Sequence, residues 1–168
     1  MKRVTRAAFG LAGAVAAAGV GLGLFIGSGV YNIAADDHHT RIVLALIEQL
    51  RDRSIGVRAR GVEVPDLDDA GRIAAGARQY AARCVSCHLA PGVTKSDLRA
   101  GLYPHPPNLS QQDPQAARRE FWVVKHGIKM SAMPAWGKTL DDAAIWDIVA
   151  FVRRMPLMTP EAYQQLSR

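Results

Sequence analysis

The chain has 168 residues, of which 49% are hydrophobic, and a formal net charge of +6. It is therefore long enough for one folded domain with an appendage, and too apolar to be disordered over most of its length. Because Lys2, Arg3 and Arg6 supply three of the positive charges, the rest of the chain carries only about +3. It lacks the concentrated basic face that nucleic-acid binding requires, and we expect no nucleic-acid partner.

An uncharged segment follows these cations, from Ala7 to Gly27. A helix of that length spans about 30 Å at 1.5 Å per residue, which is the thickness of a bilayer core. Asp36 and Asp37 come after the segment, so the positive-inside rule keeps the N-terminus in the cytoplasm and exports the chain beyond it. We predict a single-pass membrane anchor over residues 1–30.

A cleaved signal peptide is the alternative interpretation of this segment, because a charged start and an apolar stretch serve both purposes. Ala34 and Ala35 would offer the small residues of a cleavage site. Signal cores usually run for about 7 to 15 residues, and this apolar stretch is longer, so the anchor is the preferred interpretation.

Residues 31–68 are predicted to form an amphipathic helix and a linker. Between Thr40 and Ser54, apolar residues recur at Ile42, Leu46 and Leu50, which lie on one face of a helix. The stretch after this helix carries Glu63, Pro65, Asp66 and Asp68 and is predicted to be irregular.

Residues 69–168 are predicted to form one all-α domain. Apolar periodicity predicts helices at 70–83, 115–126 and 141–154, and an acidic pair precedes the first of them, where it suits the positive end of the helix. Five prolines lie in the interval 91–114, which is predicted to be a wrapped loop with one short turn. No segment alternates with a period of two, so we expect no strand.

The sequence Cys-Val-Ser-Cys-His at residues 84–88 carries the strongest chemical signal in the chain. Cys-x-x-Cys-His is the attachment signature of haem c, in which Cys84 and Cys87 add to the two vinyl groups and His88 supplies an axial iron ligand. A redox disulfide or half of a zinc site are the alternatives. The chain has no thioredoxin-like βαβ pattern and no second ligand pair, and its two cysteines are its only ones.

These residues resemble the monohaem class I cytochromes c, and more closely their bacterial membrane-anchored respiratory members. The resemblance covers roughly residues 70–155. Gly76 and Tyr80 precede Cys84 at four-residue steps, as in the first helix of the family, and Phe151 matches an aromatic residue of its last helix. The resemblance implies the class I cytochrome c fold, with helices wrapped around one covalent haem c.

The segment Pro107-Asn108-Leu109 also resembles a segment of the family. In those proteins the proline carbonyl accepts a hydrogen bond from the axial imidazole. The resemblance therefore implies that Pro107 orients His88, because such a bond fixes the tautomer and the ring orientation of a ligating histidine.

The second axial ligand is expected in residues 127–137, which resemble the methionine loop of the family. Met133 is the predicted ligand because it directly precedes Pro134, as the ligand of the family often does. Met130 is the nearest competitor. His126 could ligate iron by its chemistry, but a histidine in a helical stretch is more often a surface or packing residue.

The function that the resemblance implies is single-electron transfer in a bacterial respiratory chain. With His88 and Met133 both bound, the iron would be closed to substrate, so no catalytic residue is predicted. The chain would be a membrane-tethered shuttle or the cytochrome subunit of a larger oxidoreductase complex, with its haem domain on the periplasmic side of the inner membrane. A haem enzyme or gas sensor with an open distal site, or a structural subunit of a respiratory complex, are the alternatives.

An excess of cations surrounds the methionine loop. The charged residues between positions 115 and 138 are Arg118, Arg119, Lys125, Lys129 and Lys138, against Glu120 alone. A cationic rim near an exposed haem edge would steer an acidic surface of a redox partner towards it. We therefore predict a partner with an acidic docking surface.

Overall fold

The computed structural model describes residues 2–129 and 131–168, with side chains from residue 6 onward. In this part of the chain the only regular elements are helices, which confirms the predicted all-α class. They are α1 (Lys2–Ser28), α2 (Arg41–Arg58), α3 (Ala70–Arg83), α4 (Val85–His88), α5 (Asp97–Ala100), α6 (Ala117–His126), α7 (Asp142–Arg154) and α8 (Pro160–Leu166). Two short 3-10 turns, Trp136–Lys138 and Met155–Leu157, flank α7.

Helix α1 lies in a unit formed by residues 1–37, and the other helices lie in a unit formed by residues 38–168. Within α1, the 23 residues Arg6–Ser28 are long and apolar enough to cross a membrane, with a mean hydropathy of 2.0. Their large apolar side chains are exposed, as a lipid-facing helix requires.

Helix α2 begins where the sequence predicts and ends four residues beyond the predicted Ser54. The Thr40 hydroxyl accepts a hydrogen bond from the amide of Val43 at 3.4 Å and caps the helix. Ile55 is buried. The predicted apolar stripe faces outward instead: Leu46 is 61% exposed and Leu50 is 72% exposed. The periodicity that predicts α2 thus does not mark the face that the helix buries.

The crossing of α3 and α7 forms the core of the helical domain. The carboxylates of Asp69 and Asp141 cap the two helices, accepting hydrogen bonds from backbone amides at 2.7 and 2.8 Å. At the crossing, Gly76 of α3 lies against the backbone carbonyl of Asp147, where a β-carbon would overlap the oxygen. The ring of Phe151 packs 5.2 Å from the ring of Tyr80, so the residues that carry the family resemblance meet at this crossing.

A second apolar cluster joins α6 to α7. Phe121 and Trp146 stack at 4.2 Å with an angle of 16° between their planes, and both are buried. Both rings therefore contribute to the apolar core of the domain.

Helix α8 is absent from the sequence-based prediction. It is seven residues long, which is too short to show helical periodicity, although Thr159 and Pro160 are typical of a helix start. Thr159 caps the helix by accepting a hydrogen bond from the amide of Ala162 at 3.2 Å. Tyr163 is buried 6.0 Å from Phe151, so α8 closes the core of the domain.

Candidate functional site

The Cys-x-x-Cys-His motif lies in a single helical turn at the end of α3. Cys84 is the C-terminal cap of α3, and its carbonyl accepts hydrogen bonds from the amides of Cys87 at 3.1 Å and His88 at 2.8 Å. The two thiols are not joined in a disulfide. Burial raises the pKa of the Cys84 thiol to about 12. The turn therefore brings together the three residues that the sequence nominates for covalent attachment and axial ligation.

The ring of His88 is held by the backbone of the proline-rich loop. Its Nδ1 donates a hydrogen bond to the carbonyl of Pro107 at 3.0 Å, and the carbonyl of His88 accepts one from the amide of Leu109 at 3.2 Å. Burial lowers the pKa of His88, although the bond to Pro107 acts in the opposite direction. A neutral ring that donates through Nδ1 keeps the lone pair of Nε2 free for a metal ion.

Tyr80 supports the motif in a way that the sequence does not reveal. Its hydroxyl donates a hydrogen bond to the carbonyl of Leu89 at 2.7 Å, and its side chain is fully buried. Leu89 directly follows His88 and has a positive φ of 60°. The bond thus fixes the chain where it leaves the motif in a conformation that non-glycine residues rarely adopt. The available signal was a tyrosine one helical turn before Cys84.

Helix α5 is a second support, and the sequence analysis predicted a short turn here but not its contacts. The hydroxyl of Ser96 donates a hydrogen bond to the carbonyl of Ser86 at 2.6 Å, inside the motif. Arg99 donates from Nη2 to the carbonyl of Pro106 at 3.0 Å. Nε of Arg99 is buried and has no hydrogen-bond partner within the described chain. The predicted short turn in the loop is therefore the element that connects the motif to its proline segment.

The predicted methionine loop folds back on itself after α6. Gly127 has a φ of 66° and faces the backbone of the loop, so that a β-carbon would lie 2.6 Å from the carbonyl oxygen of Met133. That oxygen accepts a hydrogen bond from the amide of Ile128 at 3.2 Å, and the amide of Met133 donates to the hydroxyl of Ser131 at 3.2 Å. Met133 is half-buried. Its role as an iron ligand stays a prediction, as do those of His88 and Pro107.

Met130 and His126 are the two weaker candidates for the second axial ligand. Met130 lies outside the described residues. His126 is exposed, and its ring lies 4.8 Å from the ring of Trp122 on the same helix. This position agrees with the surface or packing role that we preferred for His126.

The structure divides the cations around the methionine loop into two groups. Lys125 forms an ion pair with Asp142 of α7 at 2.6 Å, and Arg119 lies 3.7 Å from a carboxylate oxygen of Asp52 on α2. The count of charges between residues 115 and 138 could not include these acidic partners, because both lie outside that interval. Lys129 and Lys138 are exposed. Over the described part of the chain, neither is paired with an acidic group.

The helical fold and the turn that carries two cysteines and a histidine resemble a c-type cytochrome domain. A family model described as "Cytochrome C oxidase, cbb3-type, subunit III" matches residues 71–152, just under half of the chain. The family model is one of c-type cytochromes. A search of curated proteins found no significant match. A search of solved structures found none either.

The residues of the motif fit the cofactor that this family implies, which is haem c. Two thiols that are not bonded to each other lie within one turn, and the adjacent imidazole is oriented with Nε2 free. A covalently attached haem would supply the one-electron step between Fe(III) and Fe(II). The chain itself would fix the imidazole through Pro107 and keep the ring neutral by burying it.

Proposed function

We propose that the chain is a single-electron carrier with one haem c, attached through Cys84 and Cys87 and ligated by His88 and Met133. The observation that carries this proposal is the hydrogen bond from Nδ1 of His88 to the carbonyl of Pro107 at 3.0 Å. It orients the imidazole of the residue that directly follows Cys87. A ligating histidine needs such a partner on its other nitrogen to fix its tautomer.

The carrier works at a membrane. Helix α1 anchors it as a single-pass protein, and the cations before the apolar segment favour export of the haem domain to the periplasmic side of the inner membrane. The matching family model takes its description from a subunit of a respiratory oxidase. This supports a place in a bacterial respiratory chain, as the cytochrome subunit of a larger oxidoreductase complex or as a tethered shuttle.

The redox partner docks through an acidic surface. Lys129 lies in the methionine loop and Lys138 in the 3-10 turn that follows it, and both are exposed. Cations beside the loop that holds an axial ligand would bring an acidic partner close to the haem edge. Such charges raise the rate of association more than the affinity.

Covalent attachment is the direct test of the proposal. The full-length chain, expressed with a haem c attachment system, is expected to retain haem after denaturation in acid. Cys84→Ala and Cys87→Ala should each remove one thioether bond, and the double variant should lose haem on denaturation. Mass spectrometry and haem staining of denaturing gels measure both effects. Haem that stays covalently bound in the double variant would disprove the attachment site.

A further inference from the structure

The segment that carries the carbonyl of Pro107 can donate few backbone hydrogen bonds. Residues 103–107 read Tyr-Pro-His-Pro-Pro, and proline has no N–H group to donate. Three of the five residues therefore cannot be fixed through backbone amides. The hydrogen bond that orients His88 depends on the carbonyl of Pro107. The position of this carbonyl must therefore be fixed by a donor from another part of the chain.

Helix α5 supplies that donor from a position next to the Cys-x-x-Cys-His turn. At one end of the helix, Ser96 donates to the carbonyl of Ser86 at 2.6 Å. At the other end, Nη2 of Arg99 donates to the carbonyl of Pro106 at 3.0 Å, one residue before Pro107. The carbonyl of Arg99 also accepts a hydrogen bond from Nδ1 of His105 at 3.2 Å. These bonds link both ends of the His88–Pro107 hydrogen bond to one short helix.

We propose that Arg99 is the positioning residue of the axial histidine: it fixes Pro106 and Pro107 so that the Pro107 carbonyl accepts from His88, and its fixed charge raises the reduction potential of the bound iron. This inference rests on the proposed haem attachment at Cys84 and Cys87. A guanidinium is charged at every pH of interest, so its charge is permanent. A permanent positive charge near the iron disfavours the ferric state, which carries one more positive charge than the ferrous state.

The geometry supports the electrostatic part of this assignment. The guanidinium lies 3.0 Å from the carbonyl of Pro106, and the next carbonyl, that of Pro107, lies 3.0 Å from Nδ1 of His88. Nε of Arg99 is buried and donates to no atom of the described chain. The guanidinium is therefore held inside the loop beside the motif, where its charge is screened by solvent less than a charge at the surface is.

The experiment compares three variants of the full-length haem protein. Arg99→Gln removes the charge, Arg99→Lys keeps the charge but not the planar donor geometry, and Arg78→Gln removes one charge from an exposed site on α3. Redox titration measures the potential. NMR measures the exchange rate of the Nδ1 proton of His88, which reports how well the bond to Pro107 is held.

We expect Arg99→Gln to shift the Fe(III)/Fe(II) equilibrium towards Fe(III) by severalfold to tenfold, where tenfold equals 59 mV for a one-electron couple. The Nδ1 proton should exchange faster. Arg99→Lys should restore most of the potential while the proton still exchanges faster than in the wild type. Arg78→Gln should change neither quantity.

The outcomes separate this inference from the proposed function. If the wild-type chain does not bind haem covalently, the proposed function fails. If it does, and Arg99→Gln lowers the free energy of unfolding without changing the potential or the proton exchange, Arg99 has only a structural role and the inference is overturned. Should Arg99→Gln not fold, the exchange rate in Arg99→Lys decides, and a wild-type rate would reject the positioning role.

Discussion

The assignment of Met133 as an iron ligand can be tested by absorption spectroscopy, because a methionine sulfur bound to ferric iron gives a charge-transfer band of its own. We expect Met133→Ala to abolish that band and to lower the reduction potential, since the soft sulfur ligand favours the reduced metal. Visible absorption spectroscopy and redox titration measure the two effects. Met130→Ala is the matched control and should leave both unchanged. The reverse pattern would transfer the ligand role to Met130.

The environment of Glu120 predicts how the stability of the chain changes with pH. Its side chain is 13% exposed and lies 3.5 Å from Arg153, and burial raises its pKa more than Arg153 lowers it. Because the folded chain then binds this proton more tightly than the unfolded chain does, the contribution of Glu120 to stability falls as the pH rises above the ordinary glutamate value of about 4.3.

We therefore expect Glu120→Gln to improve stability relative to the wild type by more at pH 7 than at pH 4.5. Denaturant unfolding of both proteins at the two pH values measures this difference. The substitution also removes the ion pair with Arg153, whose favourable effect on the ionised carboxylate is already included in the net rise of the pKa. An equal effect of the substitution at both pH values would contradict the raised pKa.

At the scale of residues, the motif predicts the attachment site but not what surrounds it. Cys84, Cys87 and His88 are adjacent in sequence, so their chemistry is visible before any folding is known. The hydroxyl of Tyr80 and the guanidinium of Arg99 act on backbone carbonyls, which have no sequence signature. Such contacts depend on how loops fold, and a residue type alone, such as a tyrosine one helical turn before Cys84, does not show which carbonyl it will contact.

Gly76 offers a test of the crossing between α3 and α7. A methyl group at this position would overlap the carbonyl of Asp147 and lie 2.9 Å from the β-carbon of Phe151. The helices would have to separate, so we expect Gly76→Ala to lower the free energy of unfolding by about 1–3 kcal/mol, despite the better helix propensity of alanine. Denaturant unfolding measures the change.

The control is Gly101→Ala, because the nearest atom to a β-carbon at Gly101 is the carbonyl oxygen of Leu98 at 3.8 Å. This substitution should change stability little. If the two variants were equally stable, the close approach of the two helices at Gly76 would not be needed.

The bounds of a helix are predicted best where a capping residue and a buried apolar stripe occur together. Helices α3 and α7 begin and end within one residue of the predicted bounds, because each has an acidic cap and an apolar stripe that the core buries. In α2 the start is predicted to within one residue, but the apolar stripe is the exposed face, and Ile55 is buried. Packing between elements that are distant in sequence decides which face is covered, and the pattern of one helix cannot show it.

The docking proposal concerns the surface of the whole haem domain. Since Lys125 is paired with Asp142, the test requires Lys129 and Lys138. We expect Lys129→Glu with Lys138→Glu to slow electron exchange with the native partner at low salt, and the difference from wild type to shrink as the Debye length falls to about 10 Å at 0.1 M. Stopped-flow kinetics across a salt series measures this.

Lys95→Glu, at another exposed lysine, changes charge by the same amount per site and serves as the control. The potential and the haem spectrum should stay the same in all variants. Rates that do not respond to salt or to the double substitution would place the docking surface elsewhere.

The position of Cys84 against the core predicts that haem attachment precedes the packing of α7. Its thiol packs against the core that α3 and α7 form together, and its raised pKa of about 12 keeps it protonated at neutral pH in the folded chain. Because thiolates are the reactive form, we expect bond formation at Cys84 to be faster before α7 packs than after it. Alkylation of Cys84 in the chain without haem should accordingly be slow when the chain is folded and fast in urea, as site-resolved mass spectrometry would measure.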